Sequence, residues 1–325
     1  MNMLPDLSIC IVNHRTPTLL QGCLNSIVGT AQDIQTEILV VNNTPDEDGG
    51  LRSMVEQFPS VQLIQNDMPL GFSANQNQML QRATGRYLMP LNSDTVVQPG
   101  ALRELVTFMD KHPRAGIAGP KLIRAGGQLQ PSCRNFPNPL THFLEASGLW
   151  QSLKGNSIIG KWYYLCSPHT EICEVDWLTG ACLIVRAAAA HGVGYYNAEL
   201  FPDMYGEDID WCWRMRRAGW RIMFDPRAVV MHLESQSPVA ERTLMMYQGS
   251  YSFCARYYSR PQQWGIRAAT VLALLPRWLL ARNQQSRATY AALMALPLSP
   301  RSGQQHLNGQ SEDHDHNWKD LRRRV

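Results

Sequence analysis

The 325-residue chain carries a net charge of +3 at pH 7, a pI near 8.4 and 44% hydrophobic residues, enough apolar material for one large or two modest cores. So mild a basicity, with no basic stripe interleaved with aromatics, does not fit a nucleic-acid binder. The cysteines (10, 23, 133, 166, 173, 182, 212, 254) lack the spacing of zinc or redox sites, and MNMLPDLSICIVNH at the N-terminus has neither a basic leader nor a long apolar run; reduced, mostly buried thiols and a cytoplasmic location are expected.

Strand-like runs recur over the first 120 residues: LSICIV (7–12), EILVV (37–41), VQLI (61–64), YLMPL (87–91) and GIAG (116–119). Between them the period changes to that of a helix. Leu19, Leu20, Cys23, Leu24, Ile27 and Val28 follow Pro17 at helical spacing, with Thr16 expected as N-cap. Further helices are expected over 73–83 and from Pro99 onward. Strands alternating with helices predict an α/β fold with a mostly parallel sheet covered on both faces. Residues 120–180 are interrupted by Pro, Asn, Gly and Ser and read as loop with short helix. Order resumes at EVDWLTGACLIVR (174–186), an alanine-rich helix, DMYGEDIDWCWRMRRAGW (203–220), the strand RIMF (221–224) and DPRAVVMHLESQS.

Residues 239–296 read as helical, and their most apolar run, AATVLALLP, is far too short to span a bilayer. With Arg256, Arg260, Arg267, Arg277, Arg282 and Arg287 beside Trp264 and Trp278, this segment is expected either to contact an anionic membrane surface or to pack on the core with snorkelling arginines. Residues 298–325 read as a polar, disordered tail.

In a parallel sheet the ligand lies beyond the carboxyl ends of the strands. There stand NHRTP (13–17), NNTPDEDGG (42–50), NDMPLGF (66–72) and NSDT (92–95), each a turn former on its own and together a candidate site. Asp94 can offer an oxygen to a hard divalent cation and His232 an imidazole nitrogen, the pair being completed by substrate phosphates. Acids in the first turn of the helix near Glu207 are favoured by its dipole. Asp208, Trp211 and Met215 share a face, though, so one carboxylate lies beside a flat ring of the kind that receives a sugar or lipid acceptor.

The stretches SICIVNHRTPTLLQGCLNSI, EILVVNNTPDEDGG, NDMPLGFSANQNQML, GRYLMPLNSDTVVQPGAL, VDWLTGACLIVRA, YGEDIDWCWRMRRAGWRI and DPRAVVMHLESQS, in this order over residues 7–237, resemble the family 2 glycosyltransferases and, within them, the bacterial rhamnosyltransferase-like members. The resemblance implies a GT-A fold over residues 1–238, with a donor half (1–120) and an acceptor half (121–238), ahead of the helical extension 239–297. It implies inverting transfer of a sugar from a nucleoside-diphosphate donor, with Mg²⁺ or Mn²⁺. dTDP-rhamnose is the favoured donor and a UDP-sugar the other; the acceptor is a saccharide or lipid-linked saccharide in cell-surface polysaccharide synthesis.

Position by position, the family's metal-binding motif falls on Asn92-Ser93-Asp94 and its nucleotide reader on Asn42-Asn43, while His232 matches a histidine that completes the metal site. Its catalytic base falls on Asp208, beside Glu207, which would orient the site. Asn13, Gly71, Phe72 and Asn75 match the donor pocket; Trp177 and Gly180 match the loop that meets the acceptor, to which Trp211 is added as a stacking platform. Asn92 and Asn42 stand where acids are usual, which removes negative charge, although an amide carbonyl can accept the same bond. A non-catalytic relative would explain both changes but not an intact GED, and a nucleotidyltransferase would need a Gly-rich basic loop that IVNHRTPTLL lacks.

Overall fold

A computed structural model describes residues 4–31, 34–44, 49–233 and 239–296; the tail expected over 298–325 lies outside them. The first elements are β1 (Leu7–Asn13), α1 (Pro17–Thr30), β2 (Thr36–Asn42), α2 (Gly50–Val55), β3 (Val61–Gln65), α3 (Phe72–Leu80), β4 (Tyr87–Asn92) and β5 (Thr95–Val97). Then come α4 (Ala101–Lys111), β6 (Ala115–Ile123), β7 (Leu129–Gln130), β8 (Cys133–Arg134), α5 (Pro139–Ser147), α6 (Trp150–Leu153), α7 (Ser157–Gly160), β9 (Cys173–Glu174) and β10 (Trp177–Leu178). The chain continues with β11 (Ile184–Arg186), α8 (Ala187–Val193), α9 (Glu207–Arg217), β12 (Arg221–His232), α10 (Val239–Tyr257), α11 (Arg260–Leu280) and α12 (Gln284–Ala295).

The elements sort into two units. One comprises residues up to 136, 154–198 and 207–236; the other comprises 137–153, 199–206 and the chain from 237 onward. The first is an α/β unit whose main sheet runs β3-β2-β1-β4-β11-β6-β12-β5. Strands β3, β2, β1 and β4 are mutually parallel, as are β6 and β12, while β11 and β5 run against their neighbours. Strand β1 shows why its sequence carries no alternating polar face. Leu7, Ile9 and Ile11 pack with Leu20, Leu24 and Ile27 of α1 and Leu102 and Leu105 of α4. Cys10 faces the opposite layer, with Met79 and Leu80 of α3 and Trp211 and Met215 of α9. A strand buried on both faces loses the polar alternation of a half-exposed one.

Because β1 lies between β2 and β4, successive connections leave it in opposite directions, which opens a crevice at the carboxyl ends of β1 and β4. Thr16 serves that crevice rather than capping α1. Its hydroxyl donates to Asn13 Oδ1 at 3.1 Å and lies 3.2 Å from Ser93 Oγ, with no cap hydrogen bond to the helix.

The second unit gathers α5, α10, α11 and α12 around Ala146, Ala273, Leu274 and Leu293. Residues 137–153, expected with the acceptor half, therefore fold with the C-terminal helices. His142 is buried there between Thr270 Oγ1 at 3.2 Å and Ser250 Oγ at 3.0 Å, and burial holds its pKa below the usual value. Gly249 of α10 passes so close to the carbonyl of Tyr205 that a Cβ could not be accommodated.

Candidate functional site

The polar strand ends expected to line a site form a clamp of buried amides. Asn13 Nδ2 donates to Asn42 Oδ1 at 3.0 Å, Asn42 Nδ2 to Gln65 Oε1 at 2.9 Å, and Gln65 Nε2 to the carbonyls of Thr44 and Asn66. Asn66 Nδ2 reaches both Asn43 Oδ1 at 3.0 Å and Asn75 Oδ1 at 2.6 Å. Asn43 exchanges two bonds with the backbone of Leu70, and Asn75 donates to the carbonyls of Leu70 and Gly71. Asn13, Asn42, Asn43 and Asn75 are at most 7% exposed, and their amides are engaged within the protein. Their expected direct contact with the donor is thus corrected: they tie the loops after β1, β2 and β3 to α3 and shape the crevice from behind. What stays open at its edge is His14, Arg15 and the half-buried Gly71 and Phe72.

At the end of β4 the chain turns through Asn92, Ser93 and Asp94 into β5, which pairs antiparallel with β12 so that His232 stands opposite Thr95. This register places His232 Nε2 3.2 Å from Asp94 Oδ1, both side chains being largely buried. The other ring nitrogen of His232 is 3.1 Å from Gln130 Oε1, which can accept from Nδ1–H and leave Nε2 free to coordinate. Gln130, on the two-residue strand β7, carries no sequence signal of its own. Among the described residues no three His, Cys, Asp or Glu side chains converge on one point. A carboxylate and an imidazole side by side still fit a cation whose remaining positions are filled by substrate phosphates and water.

The acids of α9 separate into distinct roles. Asp210 is fully buried and held by Arg214 at 2.8 Å, an i,i+4 pair; Arg214 also donates to the carbonyls of Val193, Gly194 and Tyr195. This arginine ties α9 to the end of α8. Asp208 differs: its Oδ2 accepts from Gly180 N–H at 3.1 Å and its Oδ1 from Ile209 N–H at 2.8 Å. Burial lifts its pKa to about 6, and the two amide bonds together with Arg134 hold it from rising further. A carboxylate that titrates near neutrality suits a general base. Glu207 is buried at the first position of the helix.

Trp177 donates its indole N–H to Asn135 O at 2.8 Å, and the Arg134 guanidinium lies over its ring at 5.7 Å. Trp211 is 0% exposed, bonds Gly194 O at 2.8 Å and packs on Tyr196 at 4.6 Å. It belongs to the core, so its expected role as an acceptor platform is corrected. Trp213, two residues on, does reach a cavity of about 270 Å³ lined with Phe136, Asp176, Arg216 and Arg217. There Trp213 meets Phe136 edge-on at 4.9 Å, and Asp176 receives Arg216 at 2.8 Å and Phe136 N–H at 3.0 Å.

A profile of the family described as "Glycosyltransferase like family 2" matches residues 5–247. The N-acetylglucosaminyl-diphospho-decaprenol L-rhamnosyltransferase of Mycobacterium tuberculosis is 25% identical over 286 residues, covering 79% of this chain and 89% of that protein. A low-salt glycan biosynthesis hexosyltransferase of Haloferax volcanii is 24% identical, covering 86% of this chain and 85% of that protein. Among solved structures, a mannosyltransferase of Pyrobaculum calidifontis in complex with GDP-Man and Mn²⁺ superposes with a TM-score of 0.57 at 14% identity, over 91% of this chain and 86% of that one. That last likeness shows a shared fold.

Proposed function

The chain belongs to the glycosyltransferase-like family 2, and on that premise we propose that it is an inverting transferase moving a sugar from a nucleoside diphosphate to a hydroxyl of a saccharide or lipid-linked saccharide. One observation carries the proposal: a carboxyl held between the Gly180 and Ile209 amides at the head of α9, with its pKa raised to about 6. A base of that strength is largely ionised at neutral pH yet basic enough to take a proton from an attacking alcohol. Asp208 accepts the acceptor's hydroxyl proton as that oxygen bonds to the anomeric carbon; the bond from that carbon to the diphosphate breaks on the opposite face, so the configuration inverts. Trp177, with Gly180 beside the base, guides the acceptor, and the half-buried pair of Phe136 and Trp213 at the neighbouring cavity extends that path in place of Trp211.

The donor lies across the crevice between β1 and β4. Asn92 and Asp94 close one side and Gly71 and Phe72 the other, with Arg15 offering positive charge to the phosphates beside His14. A divalent cation, Mg²⁺ or Mn²⁺, would be held by Asp94 and His232 and would supply Lewis-acid stabilisation of the leaving diphosphate. The 25% identity to a rhamnosyltransferase supports dTDP-rhamnose as donor ahead of a UDP-sugar, and that relative's polyprenol-linked substrate supports a lipid-linked acceptor in cell-surface polysaccharide synthesis. Free thiols at all eight cysteines fit work on the cytoplasmic side of the membrane.

The test is a panel of nucleotide sugars incubated with the protein and Mg²⁺ or Mn²⁺, following nucleoside-diphosphate release with and without EDTA. Release from one donor, abolished by EDTA and by Asp94→Ala, is expected. Donor binding without transfer to any saccharide or lipid-linked acceptor would instead give the chain to the non-catalytic members of the fold.

A further inference from the structure

Helix α11 is apolar on two opposite sides. Ile266, Thr270, Ala273 and Leu274 are buried against its own unit. At 100° per residue, Trp264, Ala268, Leu272, Leu275 and Leu279 fall in an arc of about 80° on the other side. That side is bare: Trp264 is 64% exposed, Leu272 64%, Leu275 42% and Leu279 61%, so no described residue covers the stripe. A surface helix of an ordinary globular unit keeps polar residues there, and a continuous exposed apolar stripe marks a contact.

The charges around the stripe select its occupant. From residue 242 to 311 the chain contains no Asp or Glu. Arg267 and Arg277 are turned inward, onto the carbonyls of Met294 and Ala146, and Arg287 lies over the Trp278 ring. Arg260, at the first position of α11, and Arg282, just past its end, stand exposed. The helix therefore presents leucines and a tryptophan between two outward cations. No described helix is long and apolar enough to cross a membrane. An apolar face with cationic flanks on a non-spanning helix is the pattern that lies in the plane of a bilayer surface.

We propose that the Trp264–Leu279 face of α11 inserts shallowly into an anionic lipid surface, with Arg260 and Arg282 on the headgroups. The purpose given to this contact, meeting a lipid-linked acceptor, rests on the function proposed above; the contact itself rests on α11 alone.

The test uses the full chain with vesicles of phosphatidylcholine alone or with phosphatidylglycerol, followed by sedimentation and by size-exclusion of the lipid-free protein. Wild type is expected to bind the anionic vesicles, and Leu272→Glu/Leu279→Glu to lose at least about 10-fold of that affinity. Arg260→Gln/Arg282→Gln should weaken binding to anionic vesicles and leave binding to neutral ones unchanged. Both leucines are well exposed, so the double variant keeps its melting temperature and its donor hydrolysis. Loss of hydrolysis in wild type itself would speak against the transferase and leave the lipid contact standing. Vesicle binding equal in wild type and double variant overturns the proposal. So does a wild-type protein that ignores vesicles but forms a dimer broken by the same substitutions, which would assign the face to a second copy of the chain.

Discussion

Replacing Asp208 by Asn separates the cost of the site from its use. Burial lifts the carboxyl from 3.8 to about 6, and at about 1.4 kcal/mol per pH unit the ionised side chain costs the fold roughly 3 kcal/mol at neutral pH. The sign follows from which state takes up the proton first. Above pH 6 the group is ionised in folded and unfolded chains alike, and the whole cost is felt. As pH falls from 6 toward 4 the folded chain protonates ahead of the unfolded one, and the cost disappears. Asn carries no charge at any pH and, like the protonated acid, keeps one carbonyl oxygen for the amide donors of Gly180 and Ile209. The variant should therefore be more stable than wild type by about 3 kcal/mol at pH 8, or roughly 6–12 °C in melting temperature. Below pH 4 the two should be nearly equal in stability, while at every pH its transfer rate drops roughly 10²–10⁴-fold. Calorimetry across pH 4–8 beside a transfer assay reads both. A melting difference that stays flat over that range would refute the buried, near-neutral carboxylate, and an undiminished rate would remove it from the chemistry.

Other outcomes follow from the same structure. The wild-type pH profile of kcat/KM should fall on its acid side with a midpoint near 6, the value set for Asp208 by burial. Trp211→Ala should cost about 3–5 kcal/mol of stability, as for any fully buried ring, whereas Trp213→Ala, at a half-buried ring, should cost clearly less and raise the KM for acceptor. The reverse pattern would restore Trp211 to the acceptor path. Asn42→Asp, which writes back the acid usual at that position, should destabilise by at least about 2 kcal/mol. It removes the donor to Gln65 and buries a charge; denaturation showing no loss would mean that the amide clamp opens readily.

The strands that build the crevice were legible because each is buried on both faces and written as a mostly apolar run without polar alternation, and Pro17 marked the head of α1. β12 was legible only in its first part, RIMF, because a shift of register between Asp225 and Val229 interrupts a single strand. Residues 120–180 stayed opaque for a different reason. β7, β8, β9 and β10 are two residues long, too short for any period, and β9 and β10 pair with strands remote in sequence. Near the crevice, the approach of His232 to Asp94 was legible from their places at strand ends, and the inward turn of Asp208 from its neighbours. The face shared by Asp208, Trp211 and Met215 does turn toward the sheet, as expected, but a ring turned that way is core. Helical spacing puts Trp211 and Trp213 on different sides; only the packing of α9 against β10 and β12 shows which of them reaches solvent. The strand-end asparagines were legible as a group and misread individually, since nothing in a sequence tells an amide that faces a ligand from one that faces another amide.

The amide clamp bears on how the crevice answers its surroundings. Asn13, Asn42, Gln65, Asn66, Asn43 and Asn75 carry no ionisable group, so neither acid nor salt loosens the loops they join. Shape at the carboxyl ends of β1, β2 and β3 is thereby insulated from the acid that protonates Asp208. A protein built this way can lose activity reversibly with acid while its empty cradle keeps the same outline, ready to resume work once the pH recovers.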